Sequence, residues 1–204
     1  MIYPHRHYLW FGPIATALLA VGIFAIALMI PGYSQVQQTV SELGEVGSPG
    51  QFAFSVLLVT VAACLILLAF AVAGALKALS HSTLPAYFIG AMAISAASVG
   101  IFSFPHPLHN VFGMSELIGY QAPLVAGFVV RKDRNLTKLA KFCFVMSVVV
   151  LLAILANMTT LDRHGSLWAA IRPFYGVVQR ILFAAWFVWC AGYALLLMRL
   201  QPPV

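Results

Sequence analysis

Six apolar runs alternate with short polar segments along this chain of 204 residues. An α-helix of about 20 residues crosses the roughly 30 Å hydrocarbon core of a membrane, and each run is near that length. Runs this long must be helices rather than strands, because backbone N–H and C=O groups need partners inside the bilayer. We therefore expect an all-α polytopic membrane protein in which residues 1–204 form one bundle of six transmembrane helices. The predicted spans are Tyr8–Ile30, Phe52–Leu76, Leu84–Phe104, Val111–Val130, Leu139–Thr159 and Pro173–Met198.

Composition makes the lipid bilayer the expected partner of this chain. The mean hydropathy is +0.97, and only 8% of the residues are charged, so there is too little polar surface to cover a soluble globule. The net charge of +6 does not indicate nucleic-acid binding, because the basic residues fall at helix ends and in short loops. Residues in such positions set the topology of a membrane protein and contact anionic headgroups.

The distribution of lysine and arginine predicts the orientation of the bundle. If the six spans alternate in direction, eight of the eleven Lys and Arg residues lie on one side and three on the other. By the positive-inside rule, the side with more Lys and Arg faces the cytoplasm. We therefore expect a multi-pass protein of the inner or plasma membrane with both termini in the cytoplasm. The eight are Arg6, Lys77, Arg131, Lys132, Arg134, Lys138, Lys141 and Arg199.

Most of the residues that could bind a ligand or take part in a reaction are expected on the opposite, outer side. Three of the five acidic residues, including Glu45, lie in or beside two loops that contain no Lys or Arg. The same loops contain histidines, prolines and glycines, and the sixth span adds an arginine at a similar depth. Ionisable residues at membrane depth are candidates for function. The candidate ligand-binding residues are Ser41, Glu42, His106, His109, Asn110, Glu116, Gln179 and Arg180.

The fourth span carries a polar face near its outer end. His109, Gly113, Glu116 and Tyr120 follow helical spacing and share one side of the helix. A histidine and a carboxylate on one face can bind a metal or move a proton, and they can equally cap a helix and pair with an arginine. If a metal is bound, the candidate ligands are His106, His109, Glu116 and His164.

Arg180 needs a partner or an aqueous exit. Eighteen apolar residues separate it from Arg199, which places its guanidinium at or just inside the outer boundary of the hydrocarbon. Glu116 lies at a similar depth, since 14 residues separate it from Arg131 on the cytoplasmic side. We therefore expect a Glu116–Arg180 ion pair.

Three short motifs, in this order across six spans, resemble a known family. The first is Ser41-Glu42-Leu43-Gly44 with Gly47-Ser48-Pro49, the second is Phe104-Pro105 with His109-Asn110, and the third is Gly176 with Gln179-Arg180. Together they resemble the prokaryotic integral membrane family catalogued as domain of unknown function 998. The chain departs from that family's pattern where His106-Pro107 replaces an acidic residue after Phe-Pro and where Gln179 replaces a glutamate before Arg180. The resemblance implies six membrane helices and importance of the outer motifs, and it implies no reaction.

Three classes of function remain open. The first is binding or transport of a small molecule or lipid headgroup at an outward-facing polar cavity. A transporter is expected to have polar residues or broken helices near the membrane midplane, and the middles of these spans offer few polar residues. The second is a membrane-embedded lipid hydrolase or transferase, metal-dependent or not, and the third is a structural or assembly role. Neither a cofactor nor an oligomeric state can be predicted from the sequence.

Overall fold

The computed structural model describes residues 6–200, and every regular element among them is helical. The α-helices are α1 (Phe11–Ala27), α2 (Gln51–Ala78), α3 (Leu84–Ile101), α4 (Pro107–Gly119), α5 (Ala122–Val130), α6 (Thr137–Asn157), α7 (Ser166–Ile171) and α8 (Tyr175–Leu200). Short 3-10 helices lie at Arg6–Trp10, Val40–Gly44, Arg134–Leu136, Met158–Leu161 and Arg172–Phe174.

Six helical passes make up the bundle. Five helices are long and apolar enough to cross a membrane: α1 with the turn before it, α2, α3, α6 and α8, the last two with their flanking segments. The sixth pass is made by α4 and α5 in succession. The prediction of an all-helical membrane protein is confirmed: five helices are long and apolar enough to cross a membrane, and α4 with α5 takes the place of the predicted fourth span.

The six passes form a closed ring in chain order. α1 packs against α2, α2 against α3, α5 against α6, α6 against α8, and α8 against α1. The fourth pass behaves differently in its two halves. α5 packs against both α3 and α6, whereas α4 packs mainly against α3. The ring is therefore closed tightly at the level of α5 and leaves space beside α4.

The ends of the bundle differ in their loops. We call one end the Glu42 face, which carries segments 28–50, 102–106 and 158–174, and the other the Asp133 face, which carries segments 79–83 and 131–136. At the Asp133 face the His81 Nε2 and an Asp133 carboxylate oxygen lie 3.2 Å apart and join the two short loops. The guanidinium of Arg6 donates to the Met198 carbonyl at 2.8 Å, so the first and last passes also meet there.

The fourth apolar run is broken in the middle. A continuous helix over Val111–Val130 is the sequence-based expectation, but α4 ends at Gly119 and α5 begins at Ala122. Pro123 explains the interruption: it has no N–H to donate to the Gly119 carbonyl four residues earlier. The nine residues of α5 span about 14 Å, so the break lies near the centre of a hydrocarbon core about 30 Å thick.

Side chains satisfy the backbone groups that the break releases. The indole Nε1 of Trp186 on α8 donates to the Gly119 carbonyl at 2.9 Å. The side-chain amide of Gln121 donates to the Leu117 carbonyl at 3.3 Å. Such replacement partners are required because an unsatisfied backbone group inside a membrane is costly.

Between the break and the Asp133 face, the interior of the bundle is closely packed. The half of the protein nearer the Asp133 face contains large side chains with no more than about 1% of their surface exposed, from α2 and α8. They fill the centre of the ring and leave the space beside α4 closed at its inner end. These residues are Leu65, Leu68, Val72, Leu76, Trp186, Trp189 and Tyr193.

Candidate functional site

The loop 33–44 folds over the start of α8 and forms one wall of the site. Arg180 holds it: one guanidinium nitrogen donates to the Gln38 carbonyl at 3.0 Å and to the Gly176 carbonyl at 2.9 Å. The other donates to the Tyr33 hydroxyl at 2.7 Å, and this hydroxyl in turn donates to the Thr39 carbonyl at 2.7 Å. Burial raises the pKa of the Tyr33 hydroxyl, which keeps it protonated and able to donate.

Two further α8 residues fit the same loop. The Gln179 side-chain carbonyl accepts from the Val40 N–H at 2.6 Å. Gly176 lies against the backbone carbonyls of Gln35, Val36 and Gln38, and a Cβ at this position would collide with them. The Gly176, Gln179 and Arg180 motif therefore anchors the loop to the sixth pass.

These contacts show that the predicted Glu116–Arg180 ion pair is wrong. Sequence spacing placed the two residues at similar depth, but it did not show which way Arg180 points around the α8 axis. Its guanidinium is turned towards the Gln38 carbonyl and the Tyr33 hydroxyl of the loop and towards the Gly176 carbonyl of its own helix. Glu116 instead accepts a hydrogen bond from the Tyr120 hydroxyl at 3.1 Å, one turn further along the chain.

Glu42 organises its own loop. One carboxylate oxygen accepts from the Thr39 N–H and the Thr39 hydroxyl, both at 2.9 Å. The other accepts from the Gln38 side-chain amide at 2.8 Å. These bonds fix the 3-10 turn Val40–Gly44, which places Ser41 at the edge of the site.

The two histidines before and within α4 differ in role. The exposed His106 caps α4, because its Nδ1 accepts from the Leu108 N–H at 3.1 Å. His109 is buried, and its Nδ1 lies 2.8 Å from the Phe102 carbonyl. Since a carbonyl can only accept, that nitrogen carries the proton, and Nε2 of a neutral His109 is left as an acceptor.

A cavity of about 420 Å³ occupies the space beside α4. His109, Gly113, Glu116 and Tyr120, which helical spacing places on one face of α4, all line it. Its other walls come mainly from apolar side chains, among them Leu19, Phe54, Leu58, Met92, Leu182, Phe183 and Phe187. A Cβ added at Gly113 would meet no atom within 4 Å, so this glycine borders open space.

A wider vestibule of about 980 Å³ lies at the Glu42 face above this cavity. Its lining includes Glu42 and Glu45 from one loop and Arg163 and Arg172 from the 158–174 segment. Seven residues line both spaces, which makes the cavity and the vestibule adjoining parts of one depression. The shared residues are Ser41, His109, Asn110, Thr160, Arg163, Tyr175 and Gln179.

The predicted ligand-binding residues therefore separate into three groups. Ser41, His109, Asn110, Glu116 and Gln179 line the inner cavity. Glu42 lines the vestibule but not the inner cavity. His106 and Arg180 line neither space and stabilise the surrounding structure.

The four candidate metal ligands do not come together. Within residues 6–200 no group of three or more His, Cys, Asp or Glu residues is arranged to hold a metal ion. His106 caps a helix, and His109 bonds to a backbone carbonyl. His164 lies in an exposed loop beside Asp162, and Glu116 is deeper in the bundle.

Several site residues lay outside the sequence-based selection. Asn157 is buried at the end of α6 and donates to the Ala153 and Val178 carbonyls at 2.8 and 3.3 Å, while it also borders the cavity. An asparagine inside an apolar run was the signal that could have identified it. Arg163 and Tyr175 reach the site through the fold of the 158–174 segment, for which the sequence contains no comparable signal.

Comparison with known proteins identifies the family to which the chain belongs. Residues 13–196 match a family model described as "Protein of unknown function (DUF998)". No curated protein and no solved structure shows a match. The matched region extends from within α1 to within α8 and includes every residue that lines the cavity.

Proposed function

Because the chain belongs to the DUF998 family, whose description names no function, we propose from its own geometry that it binds a small, partly apolar molecule. The binding site is the cavity beside α4, entered through the vestibule at the Glu42 face. The observation that carries the proposal is the continuity of these two spaces down to Glu116. Natural small-molecule sites have volumes of about 300–1,000 Å³, mostly apolar walls and a few polar groups, and this cavity has all three properties.

The Glu42 face is the outer face in this proposal. The Asp133 face carries eight of the eleven Lys and Arg residues, which the positive-inside rule assigns to the cytoplasm. The ligand then enters from outside the cell or from the outer leaflet. The packed half around Trp186 and Trp189 separates it from the cytoplasm.

The broken fourth pass favours transport as an extension of binding. Transporters commonly place their binding sites where a membrane helix is interrupted near the midplane. Here Glu116 and Tyr120 line the cavity directly at such an interruption, and α4 is held mainly by α3. Movement of α4 relative to α5 would change the cavity without disrupting the rest of the ring.

A thermal-shift screen with a matched pair of variants tests the binding proposal. Gly113→Phe places a ring in the cavity. Gly90→Phe adds the same ring on α3, where a new Cβ also meets nothing within 4 Å and where the neighbouring Tyr87 and Ile94 are exposed. A ligand that binds only the folded state adds about 2.7 kcal/mol to the free energy of unfolding at a concentration of one hundred times its Kd. The midpoint of thermal unfolding rises as a result.

The expected result is a set of small amphipathic compounds that stabilise the wild-type protein and Gly90→Phe but leave Gly113→Phe unchanged. Far-UV circular dichroism and gel filtration establish that both variants fold. If every stabilising compound acts equally on all three proteins, or no compound in the library stabilises the wild type, the cavity is not a binding site and the proposal is wrong.

A further inference from the structure

We propose that the ligand of this cavity is a cationic amphiphile, an organic ammonium ion with an apolar body, and that Glu116 is its counter-ion. This inference rests on the binding function proposed above and specifies the class of ligand. It starts from one carboxyl group at the deep end of an apolar cavity.

Glu116 has no cationic partner in the described part of the protein. Among residues 6–200 its polar contact is the hydroxyl of Tyr120, at 3.1 Å. Arg180, the arginine that the sequence placed nearest, has its terminal nitrogens bonded to the Gln38 and Gly176 carbonyls and to the Tyr33 hydroxyl. A carboxylate in a membrane-embedded cavity is expected to face a cation, and here the described residues supply none.

The one arginine among residues 6–200 that borders the cavity, Arg163, lies at its mouth. Arg163 is exposed, and its guanidinium carbon lies 6.0 Å from the centre of the Trp168 ring, in the segment that also lines the vestibule. Glu116 lies seven residues below His109 along α4, which is about 10 Å deeper. The two charges therefore occupy different levels of the depression.

The remaining walls suit an organic cation rather than an inorganic one. Inorganic cations such as Ca²⁺ need several oxygen ligands, and no group of acidic or histidine side chains in the described part of the chain is arranged for a metal. The cavity instead presents Phe54, Phe183 and Phe187 together with aliphatic side chains. Aromatic faces attract ammonium groups, and apolar walls gain from burying a hydrocarbon body.

The test compares three probes of similar size that differ in charge: phenethylammonium, phenethyl alcohol and phenylacetate. Their affinities are measured by isothermal titration calorimetry on the full-length protein in phosphatidylcholine nanodiscs, with empty nanodiscs subtracted. Four proteins are compared: the wild type, Glu116→Gln, Gly113→Phe and Gly90→Phe. Glu116→Gln keeps the size of the side chain and its acceptor for the Tyr120 hydroxyl while it removes the charge.

The expected result is a wild-type preference for the ammonium probe that Glu116→Gln reduces by roughly thirtyfold or more, since removal of one partner of an enclosed charge pair has effects of that size. Binding of the alcohol should change by less than about threefold in Glu116→Gln, because an uncharged ligand does not depend on the carboxylate charge. Gly113→Phe should abolish binding of both, and Gly90→Phe should preserve it.

Different failures have different meanings. If the ammonium probe does not bind, or binds no better than the alcohol, or is unaffected by Glu116→Gln, the cation inference is wrong. If in that case the alcohol or the acid still binds in a manner that Gly113→Phe abolishes, the cavity remains a binding site for another class of ligand. If Gly113→Phe and Gly90→Phe bind every probe alike, the proposed function fails together with the inference.

Discussion

Trp186 replaces a hydrogen bond that Pro123 removes, and this can be measured as a coupling between the two residues. In Trp186→Phe the Gly119 carbonyl loses its indole donor, which lies at 2.9 Å and is wholly buried. An orphaned buried carbonyl costs about 1–3 kcal/mol. The void left by replacing an indole with a phenyl ring adds about 1 kcal/mol. We expect Trp186→Phe to lower the free energy of unfolding by about 2–4 kcal/mol.

In a Pro123→Ala background the same substitution should be milder. The alanine introduced there has an N–H that can donate to the Gly119 carbonyl, as in a continuous helix. Trp186→Phe then retains only the packing loss of about 1 kcal/mol, so the two substitutions should couple by about 1–3 kcal/mol. The measurement is SDS-driven unfolding in mixed micelles, followed by far-UV circular dichroism, for the wild type, both single variants and the double variant.

Trp189→Phe is the matched control. Trp189 is also fully buried on α8, but its indole donates to the Cys143 sulfur at 3.5 Å, away from the break. Its substitution should destabilise the wild-type protein and the Pro123→Ala variant by the same amount. Our account of the break is refuted if Trp186→Phe costs the same in both backgrounds, within about 0.5 kcal/mol.

Two further predictions concern the two faces of the bundle. Gly176→Ala should lower the thermal midpoint and speed proteolysis within residues 28–50, because the new methyl group collides with loop carbonyls including that of Gln38; unchanged cleavage would show that Gly176 does not anchor the loop. At the other face, two hydrogen bonds lower the pKa of Asp133: the larger effect comes from the backbone N–H of Asn135 and the next from the His81 side chain. The Asp133 carboxylate therefore stabilises the fold at pH values above its unfolded pKa of about 4. This stabilisation is lost as the pH falls through the lower, folded pKa. The thermal midpoints of the wild type and Asp133→Asn should therefore differ at neutral pH and converge in acid, and a difference that stays constant with pH would exclude this pair as its source.

The sequence was sufficient for the fold class because lipid imposes strong constraints on composition. Apolar runs near 20 residues have one stable backbone solution in a bilayer, so an all-helical protein with six helices followed from their number and length. The shared face of His109, Gly113, Glu116 and Tyr120 followed from the helical period, and all four border the cavity. These inferences required only the length of each apolar run and the period of an α-helix, and no knowledge of which helices pack together.

Inferences that depended on long-range contacts were less secure. The signal for the broken fourth pass was visible in Pro123, but the sequence does not reveal that Trp186, far along the chain on α8, makes the break tolerable. Depth along the membrane could be counted for Arg180, but its direction depends on where loop 33–44 folds. The candidate metal ligands do not converge for a different, local reason: the partners of His106 and His109 are backbone groups of nearby turns, and helical spacing does not specify those partners.

The central claim is that a cavity open at the outer face reaches past Gly113 into the membrane. Its most direct test is labelling of Gly113→Cys in intact cells by a membrane-impermeant, cationic methanethiosulfonate reagent. Ile118→Cys, at a lipid-exposed position on the same helix, is the control, and the three native cysteines are buried and should contribute little. We predict fast labelling of Gly113→Cys and slow labelling of Ile118→Cys. Equal rates at the two positions, or labelling of Gly113→Cys only from the cytoplasmic side, would contradict the claim.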